Sequence, residues 1–244
     1  MNVCFLMYPW QDIKNPEDDS SLALVKECVK RGHGVAMTTP ANLTIRDSVT
    51  FAFCKVIERQ EKVSQTLKGF HAKAKFRDEM LPLAGFDVII MRSNPPLDTI
   101  MLNFLDSVKD DVFIMNSVDG IRRANNKLYT AVFEDDKTEF IPRTHVTKNK
   151  EYLLGIIKES KEDKMILKPL NGFGGSGVIL IEKSAMNSIS SLLDFYINNK
   201  DGSSNYVILQ DYIPGADQGD VRILMLNGKA IGAMKRVPGE NDHR

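Results

Sequence analysis

Short apolar segments that alternate with helical patterns constrain the fold of this chain more than any other feature. The apolar run at residues 2–8 is rich in strand formers, and residues 21–30 place apolar side chains at three-to-four spacing. Gly32 and Gly34 then stop the helix before a second apolar run at residues 35–39. A strand, a helix and a strand in this order predict an α/β fold.

The same alternation returns further along the chain. Residues 86–92 and 111–116 have the pattern of buried strands, and residues 97–108 between them have that of a helix capped near Asp98. Two strands connected by a helix in this way form a right-handed crossover, which makes the strands parallel. The intervening residues 40–83 show weak periodicity, and we predict that they form an excursion from the main sheet.

Composition excludes several classes of protein. The 244 residues are 43% hydrophobic and carry 32 basic and 32 acidic side chains, which is too apolar for a disordered chain. Because the charges balance, the protein surface as a whole does not attract nucleic acid or anionic lipid, so any partner must bind at a local site. Three cysteines without a disulfide or metal spacing predict reduced thiols. With no leader-type N-terminus and no apolar run of about 18 residues, we predict a cytoplasmic protein without a membrane span.

The organisation changes after Asn116, and we predict two domains, residues 1–120 and 121–244. A polar turn is expected first, leading into a helix at 126–133. The pattern then predicts strands at 142–147, 164–170, 177–182 and 206–213, helices at 148–159 and 184–197, and a hairpin over 221–237 that turns at LNGK.

A glycine-rich loop at residues 172–177 follows the strand KMILKPL. Its letters satisfy G-x-G-x-x-G, but the strand pattern VILIE comes next, whereas a dinucleotide fingerprint requires a helix there. A P-loop also fails, because no Gly-Lys-Ser/Thr closes the loop. Two interpretations remain open: a hairpin lid whose backbone N–H groups fold over phosphates, and a solvent-exposed turn.

Lys168 lies in the otherwise apolar strand, four residues before this loop. A lysine in a buried strand needs a counter-charge. A bound phosphate would supply one, and an internal carboxylate is the alternative. The neighbouring glycine loop favours phosphate.

Several motifs together resemble a known family. MRSNPP, NNKLYTAVF, ILKPLNGFGGSGV, VILQDYIPGADQGDVRILMLNGK and KRVP are similar, in order and spacing, to motifs of bacterial-type glutathione synthetase, an ATP-grasp ligase. The resemblance covers essentially the whole chain. It implies an α/β protein with an N-terminal Rossmann-like (pre-ATP-grasp) parallel-sheet domain and an ATP-grasp α+β domain that is incomplete at its C-terminus.

The resemblance also implies a reaction and its partners. An ATP-dependent ligase of this family joins γ-glutamylcysteine to glycine through an acyl phosphate, with ATP and Mg²⁺ as cofactors. The partners are therefore small molecules, with neither nucleic acid nor membrane, and a homo-oligomer is possible. Phosphoryl transfer of this kind needs aligned anions and neutralised charge rather than a nucleophilic side chain.

The resemblance also implies roles for individual residues. Those implied to hold the nucleotide are Lys127 and Lys168 at the phosphates, Gly174, Gly175 and Ser176 in the lid, the backbones of Gln210, Tyr212 and Ile213 at adenine, and Asp220 at the ribose. Arg222 and Arg236 are implied to face the acyl phosphate or the peptide substrate. Local readings also stay open: a solvated Lys127, an outward-facing Arg222 on a strand, and a turn at Asp220.

Two departures from the family pattern affect these expectations. Ser93 and Asn94 replace a lysine and an aspartate of the usual motif, so a related ligase acting on another amino acid or peptide is an alternative. The family also continues beyond the position matched by Arg244, and its magnesium ligands lie in that continuation. We therefore expect no metal ligands within this sequence and little activity from it alone. A non-catalytic nucleotide-binding module is the second alternative.

Overall fold

The computed structural model describes residues 1–94, 97–133, 140–172 and 174–237. Pro95 and Pro96 of the MRSNPP motif, Phe173 of the glycine loop and the final GENDHR segment lie outside the described residues. The chain divides into two compact units, Met1–Asn125 and Asn126–Arg244. Within the described residues, no helix is long and apolar enough to cross a bilayer.

The N-terminal unit is built on one mixed sheet. Its strands are β1 (Asn2–Met7), β2 (Gly34–Thr38), β3 (Leu43–Arg46), β4 (Val49–Ile57), β5 (Phe76–Pro82), β6 (Val88–Arg92) and β7 (Phe113–Met115). Its helices are α1 (Ser20–Lys30), α2 (Leu67–Lys73), α3 (Thr99–Asp106) and α4 (Val118–Ala124). β2, β1, β6 and β7 lie side by side in that order and are parallel, which confirms the predicted parallel sheet.

Strand β1 lies at the centre of this sheet and is buried on both faces. Val3 and Phe5 pack with α1 and α2 in one core, while Cys4 and Leu6 pack with α3 and α4 in another. Helix α1 begins where the Asp19 side chain accepts from the backbone N–H of Leu22. The three cysteines are free thiols, as predicted.

The prediction that residues 40–83 leave the main sheet is wrong. β4 pairs with β2 in antiparallel register, with Ala36 opposite Val56, and β3 and β5 pair with the two edges of β4. In β4, buried Ala52 alternates with Phe53, which is 54% exposed. Because an antiparallel strand can expose one face, this apolar side chain faces outward and blurs the expected periodicity.

Helix α4 is a second correction, since this stretch was predicted as a turn. The hydroxyl of Ser117 accepts from the backbone N–H of Gly120 and caps the first turn. Val118 anchors the helix in the core. The single cap and the short apolar side of the helix give little periodic signal.

The C-terminal unit contains an antiparallel sheet and a separate hairpin. Its elements are α5 (Leu128–Ala131), β8 (Thr144–Thr147), α6 (Lys150–Glu159), β9 (Lys164–Pro169), β10 (Ile179–Glu182), α7 (Met186–Ile197), β11 (Val207–Asp211), β12 (Asp220–Leu226) and β13 (Lys229–Arg236). The sheet order is β10-β9-β11-β8, and α6 and α7 pack on one face around Leu153, Leu167 and Leu193. Asn126 accepts from the N–H of Leu128, so α5 starts later and is shorter than predicted.

The hairpin of β12 and β13 confirms the predicted turn at LNGK. Asn227 and Gly228 both have positive φ, 48° and 75°, as a two-residue type I′ turn requires. Both strands are exposed along their length in the described structure.

Candidate nucleotide-phosphate site

Lys168 lies on the face of the C-terminal sheet that is turned away from the helices. Met165 and Leu167 of the same strand point into the core with α6 and α7, so Lys168 points the other way. Burial lowers the pKa of its ammonium group, and repulsion from Lys127 lowers it further. Across the described ranges, no carboxylate lies within ion-pair distance of Lys168. The carboxylate alternative therefore finds no support there.

Lys127 is held beside the end of β9. Its backbone N–H donates to the carbonyl of Leu170, and its Nζ donates to the carbonyl of Gly172 at 2.9 Å and to that of Leu170 at 3.4 Å. Burial lowers the pKa of this ammonium group too. The fold thus brings together two half-buried cations that are far apart in sequence, an arrangement that fits a polyanion.

The glycine loop begins next to both lysines. Gly174 and Gly175 have φ of 63° and 75°, a conformation that glycine adopts without strain. The N–H of Val178 donates to the carbonyl of Gly175 at 3.1 Å and closes the turn around Ser176. The strand β10 follows, as predicted, so the geometry of a dinucleotide turn is absent from this described segment.

Strand β11 has side chains on the same face of the sheet as Lys168. Ile208 lies directly opposite Lys168 in the register of β11 and β9, and Gln210 lies on the same face two residues further on. The Gln210 side-chain amide donates to the Thr144 hydroxyl at 2.6 Å. Tyr212 and Ile213 come directly after β11, where the backbone leaves the sheet.

Three predicted residues lie together on the hairpin. Arg236 faces Asp220 across the β12–β13 register, and its Nε donates to Asp220 Oδ1 at 2.6 Å. This hydrogen bond lowers the pKa of the Asp220 carboxyl, and the charge of Arg222 lowers it further. The contacts found among the described residues do not link this cluster to the lysine pair.

A polar cluster in the N-terminal unit centres on Arg92 of the MRSNPP motif, a residue to which the sequence analysis gave no role. Arg92 ends β6, and its guanidinium donates to the hydroxyl of Ser21 at 2.9 Å and to that of Ser20 at 2.8 Å. Nearby, the Tyr8 hydroxyl donates to Asp19. No ion pair to Arg92 is found in the described part of the chain. The available signal was the MRSNPP motif itself, in which Arg92 closes an apolar strand.

The position of Arg92 is one where α/β proteins commonly bind ligands. Helix α1 covers one face of the sheet and α3 covers the other. From β1 the strand order continues to β2 on one side, and from β6 it continues to β7 on the other, so a topological switch point lies between β1 and β6. Ligands bind outside the carboxyl ends of strands at such a switch point. Among the described residues this guanidinium has no carboxylate partner, and such a group can bind a carboxylate or a phosphate.

Metal ligands are not gathered in the described ranges. No group of three or more His, Cys, Asp or Glu side chains that could hold a metal is found in them. In proteins, Mg²⁺ commonly binds through phosphate oxygens, one or two carboxylates and water.

Solved structures define the class of protein. The chain is similar to a RimK-domain ATP-grasp protein from Sphaerobacter thermophilus, with a TM-score of 0.59 and 17% identity over 97% of this chain and 73% of that one. It is also similar to D-alanine-D-alanine ligase from Helicobacter pylori, with a TM-score of 0.52 and 13% identity over 99% and 76% of the two chains. The fold is therefore that of the ATP-grasp proteins.

Sequence comparisons define the family. Residues 1–122 match the profile of the N-terminal domain of prokaryotic glutathione synthetase, and residues 126–244 match that of its ATP-grasp domain. The glutathione synthetase of Thermosynechococcus vestitus is 30% identical over 100% of this chain and 76% of its own length. That of Agrobacterium fabrum is 31% identical over 94% and 68%. The chain belongs to the prokaryotic glutathione synthetase family, which confirms the resemblance found in its motifs.

Proposed function

We propose that this protein is an ATP-dependent carboxylate–amine ligase that makes glutathione from γ-glutamylcysteine and glycine. Family membership supports the reaction and its substrates. The structural observation that carries the proposal is the pair Lys127 and Lys168, two half-buried cations beside a glycine loop and without a carboxylate partner in the described chain.

The reaction has two steps. A carboxylate oxygen of γ-glutamylcysteine attacks the γ-phosphorus of ATP, the bond to the β-phosphate oxygen breaks, and ADP leaves. The glycine amine then attacks the acyl carbon, loses a proton, and displaces inorganic phosphate to form the amide. Charge neutralisation and alignment catalyse both steps.

The residues of the phosphate site suit this chemistry. Lys127 and Lys168 would neutralise the phosphates, and the backbone N–H groups of Gly174, Gly175 and Ser176 would donate to their oxygens. When bound, Mg²⁺ would add positive charge between the phosphates. In this proposal Lys127 exchanges the carbonyls of Leu170 and Gly172 for phosphate oxygens.

The remaining predicted residues have assigned positions in the same proposal. The backbones of Gln210, Tyr212 and Ile213 meet adenine, and Asp220 accepts from the ribose. Asp220 can do so while paired to Arg236, because a carboxylate offers about four acceptor positions. Arg222 and Arg236 face the acyl phosphate or the peptide.

The Arg92 cluster has a place in this function as well. We assign to it a carboxylate of the acid substrate, because a guanidinium oriented by two serine hydroxyls presents fixed donors at the switch point of the sheet. Ser93 and Asn94 follow directly, where the usual lysine and aspartate are replaced. In this proposal Ser93 and Asn94 determine which peptide substrate binds beside Arg92.

Further parts of the proposal concern organisation and setting. The domain division at about residue 120 is supported by the compact units Met1–Asn125 and Asn126–Arg244. We also propose a cytoplasmic location, small-molecule partners and a homo-oligomeric state. Free thiols at all three cysteines are consistent with a reducing compartment.

A ligase assay tests the proposal. The longest natural version of this protein is mixed with ATP, Mg²⁺, γ-glutamylcysteine and glycine, and both ADP and glutathione are measured. Release of ADP that requires the dipeptide, with glutathione formed in equal amount, supports the ligase. Binding of ATP without dipeptide-dependent ADP release would instead identify a nucleotide-binding module. ADP release with another dipeptide alone would change the substrate assignment.

A further inference from the structure

We propose that Tyr196 is a positioning residue of the phosphate site, because its hydroxyl fixes the end of the glycine loop. This inference rests on the proposed function, since it concerns the loop assigned to the ATP phosphates. The Tyr196 hydroxyl donates to the carbonyl of Gly177 at 3.1 Å. Gly177 is the last residue of the loop before the chain enters β10.

Tyr196 is itself well anchored. It lies in the last turn of α7, whose residues Ile189, Leu193 and Ile197 are buried, and its ring packs against the same core. The ring of Phe195 meets it edge-on at 5.8 Å between centroids. Burial raises the pKa of the Tyr196 phenol, so the hydroxyl stays protonated and able to donate. A rigid helix thus presents a hydrogen-bond donor to a loop.

The loop end is held from a second side as well. A Cβ atom at Gly177 would lie 3.2 Å from the ring of Pro169, and φ at Gly177 is 71°. Pro169 directly follows Lys168, so the end of the loop is fixed between the strand that carries the phosphate lysine and the helix that carries Tyr196. The N–H groups around Ser176 therefore acquire a defined position relative to Lys168.

The two ends of the loop are attached differently. At the start, the Gly172 carbonyl accepts from the ammonium group of Lys127, a group that a phosphate also attracts. At the end, the Gly177 carbonyl accepts from Tyr196, which is neutral. Since nucleotide binding would compete only for the first of these bonds, Tyr196 supplies the attachment that persists when the site is filled.

The test replaces only the hydroxyl, with Tyr196→Phe. The matched control is Tyr152→Phe, because Tyr152 lies on α6 of the same unit and its hydroxyl bonds His145 at 3.1 Å, away from the loop. We expect Tyr196→Phe to weaken ATP binding roughly 2- to 10-fold, the range that one hydrogen bond supplies, and to leave adenosine binding unchanged. Adenosine carries no phosphate to reach the loop. Tyr152→Phe should bind both ligands like the unmodified protein.

Hydrogen exchange without nucleotide provides an independent measurement. The amide of Val178, which closes the loop turn, should exchange faster in Tyr196→Phe by a similar factor and be unchanged in Tyr152→Phe. Equal ATP affinity in Tyr196→Phe and the unmodified protein, or equal loss of ATP and adenosine binding, would overturn the proposal. If the unmodified protein binds no ATP, the proposed function fails, and the exchange rate alone then decides whether Tyr196 fixes the loop.

Discussion

The ammonium group of Lys127 lies near enough to that of Lys168 to lower the pKa of Lys168 by repulsion, although 40 residues separate them in sequence. Both groups are half-buried, and burial is the larger cause of the lowered pKa of Lys168. Two such cations are costly to hold together without an anion. The proximity of these two ammonium groups is the physical basis of the proposed ATP site.

The lowered pKa of Lys168 predicts how ATP binding depends on pH. Phosphate binds the protonated ammonium group. Because the pKa of Lys168 is lowered by burial and by Lys127, this group gives up its proton at a lower pH than an ordinary lysine, whose pKa is about 10.4. Above about pH 8, where phosphates are fully ionised, ATP affinity should therefore fall with pH earlier than for an ordinary lysine. Calorimetric titrations at several pH values measure this, and an affinity that stays constant up to pH 10 would contradict it.

In the same pH range the stability of the folded protein should rise with pH, whereas ATP affinity falls. Between the lowered pKa of Lys168 and about pH 10.4, the unfolded chain binds more protons than the folded one. The free energy of unfolding should consequently receive a contribution that rises with pH in this window. Lys168→Met removes this contribution. The free energy of unfolding is therefore measured against pH for the unmodified protein and for the variant. Tyrosines titrate in both proteins, so the difference between the two curves reports on Lys168. A difference that does not change with pH would argue against the lowered pKa.

Gly177→Ala should impair both stability and ATP binding. Its φ of 71° is strained for alanine, and the new methyl group would lie 3.2 Å from Pro169. Gly202→Ala is the matched control, because φ there is 82° but nothing lies within 4 Å of the added atom. We expect both variants to lose roughly 1 kcal/mol of stability because alanine is strained at a positive φ. Gly177→Ala should lose about 1–3 kcal/mol more because its methyl group is crowded by Pro169. Chemical unfolding measures the difference, and equal losses would contradict the packing described.

Arg92→Lys should weaken binding of the acid substrate while the fold is kept. Lysine retains the charge but cannot donate to both serines and a carboxylate in a fixed plane. We expect γ-glutamylcysteine affinity to fall roughly 10-fold or more, the scale of a lost charge-assisted hydrogen bond. Arg77→Lys serves as control, since Arg77 pairs with Glu79 on an exposed strand. Unchanged dipeptide binding in Arg92→Lys would remove this cluster from the substrate site.

Arg236→Gln separates a catalytic role from a structural one. Arg236 and Asp220 are both exposed, and water screens their ion pair, so the unfolding midpoint should change little. Turnover in the ligase assay should fall strongly if Arg236 faces the acyl phosphate. A variant with lowered stability and normal turnover would show that the pair serves only to hold the hairpin.

Much of the fold could be predicted from local patterns. The parallel strands around β1 are apolar on both faces, which indicates a buried parallel sheet. The dipeptide of Asn227 and Gly228 is typical of a type I′ turn and predicts the hairpin. The antiparallel extension through β4 could not be predicted this way. Its exposed Phe53 breaks the alternation, and its place in the sheet depends on pairing with a distant β2.

The candidate site divides in the same manner. Lys168 could be selected from its own surroundings, because a cation in an apolar strand is locally anomalous. Lys127 could not, since its partners Leu170 and Gly172 are more than 40 residues away and its neighbours are polar. Only the family resemblance selected it. Arg92 belongs to the quoted MRSNPP motif but received no role of its own, because its serine partners, Ser20 and Ser21, are brought to it by the fold and lie about 70 residues earlier in sequence.

The most direct test of the phosphate site is an ATP titration of the unmodified protein, Lys168→Met and Lys164→Met. Lys164 lies on the same strand but is exposed, with its Nζ 4.0 Å from Glu182. We predict that Lys168→Met loses roughly 10- to 150-fold in ATP affinity, the range for hydrogen bonds to a charged group, with adenosine binding unchanged. Lys164→Met should bind ATP normally. Equal ATP affinity in Lys168→Met and the unmodified protein would contradict the account.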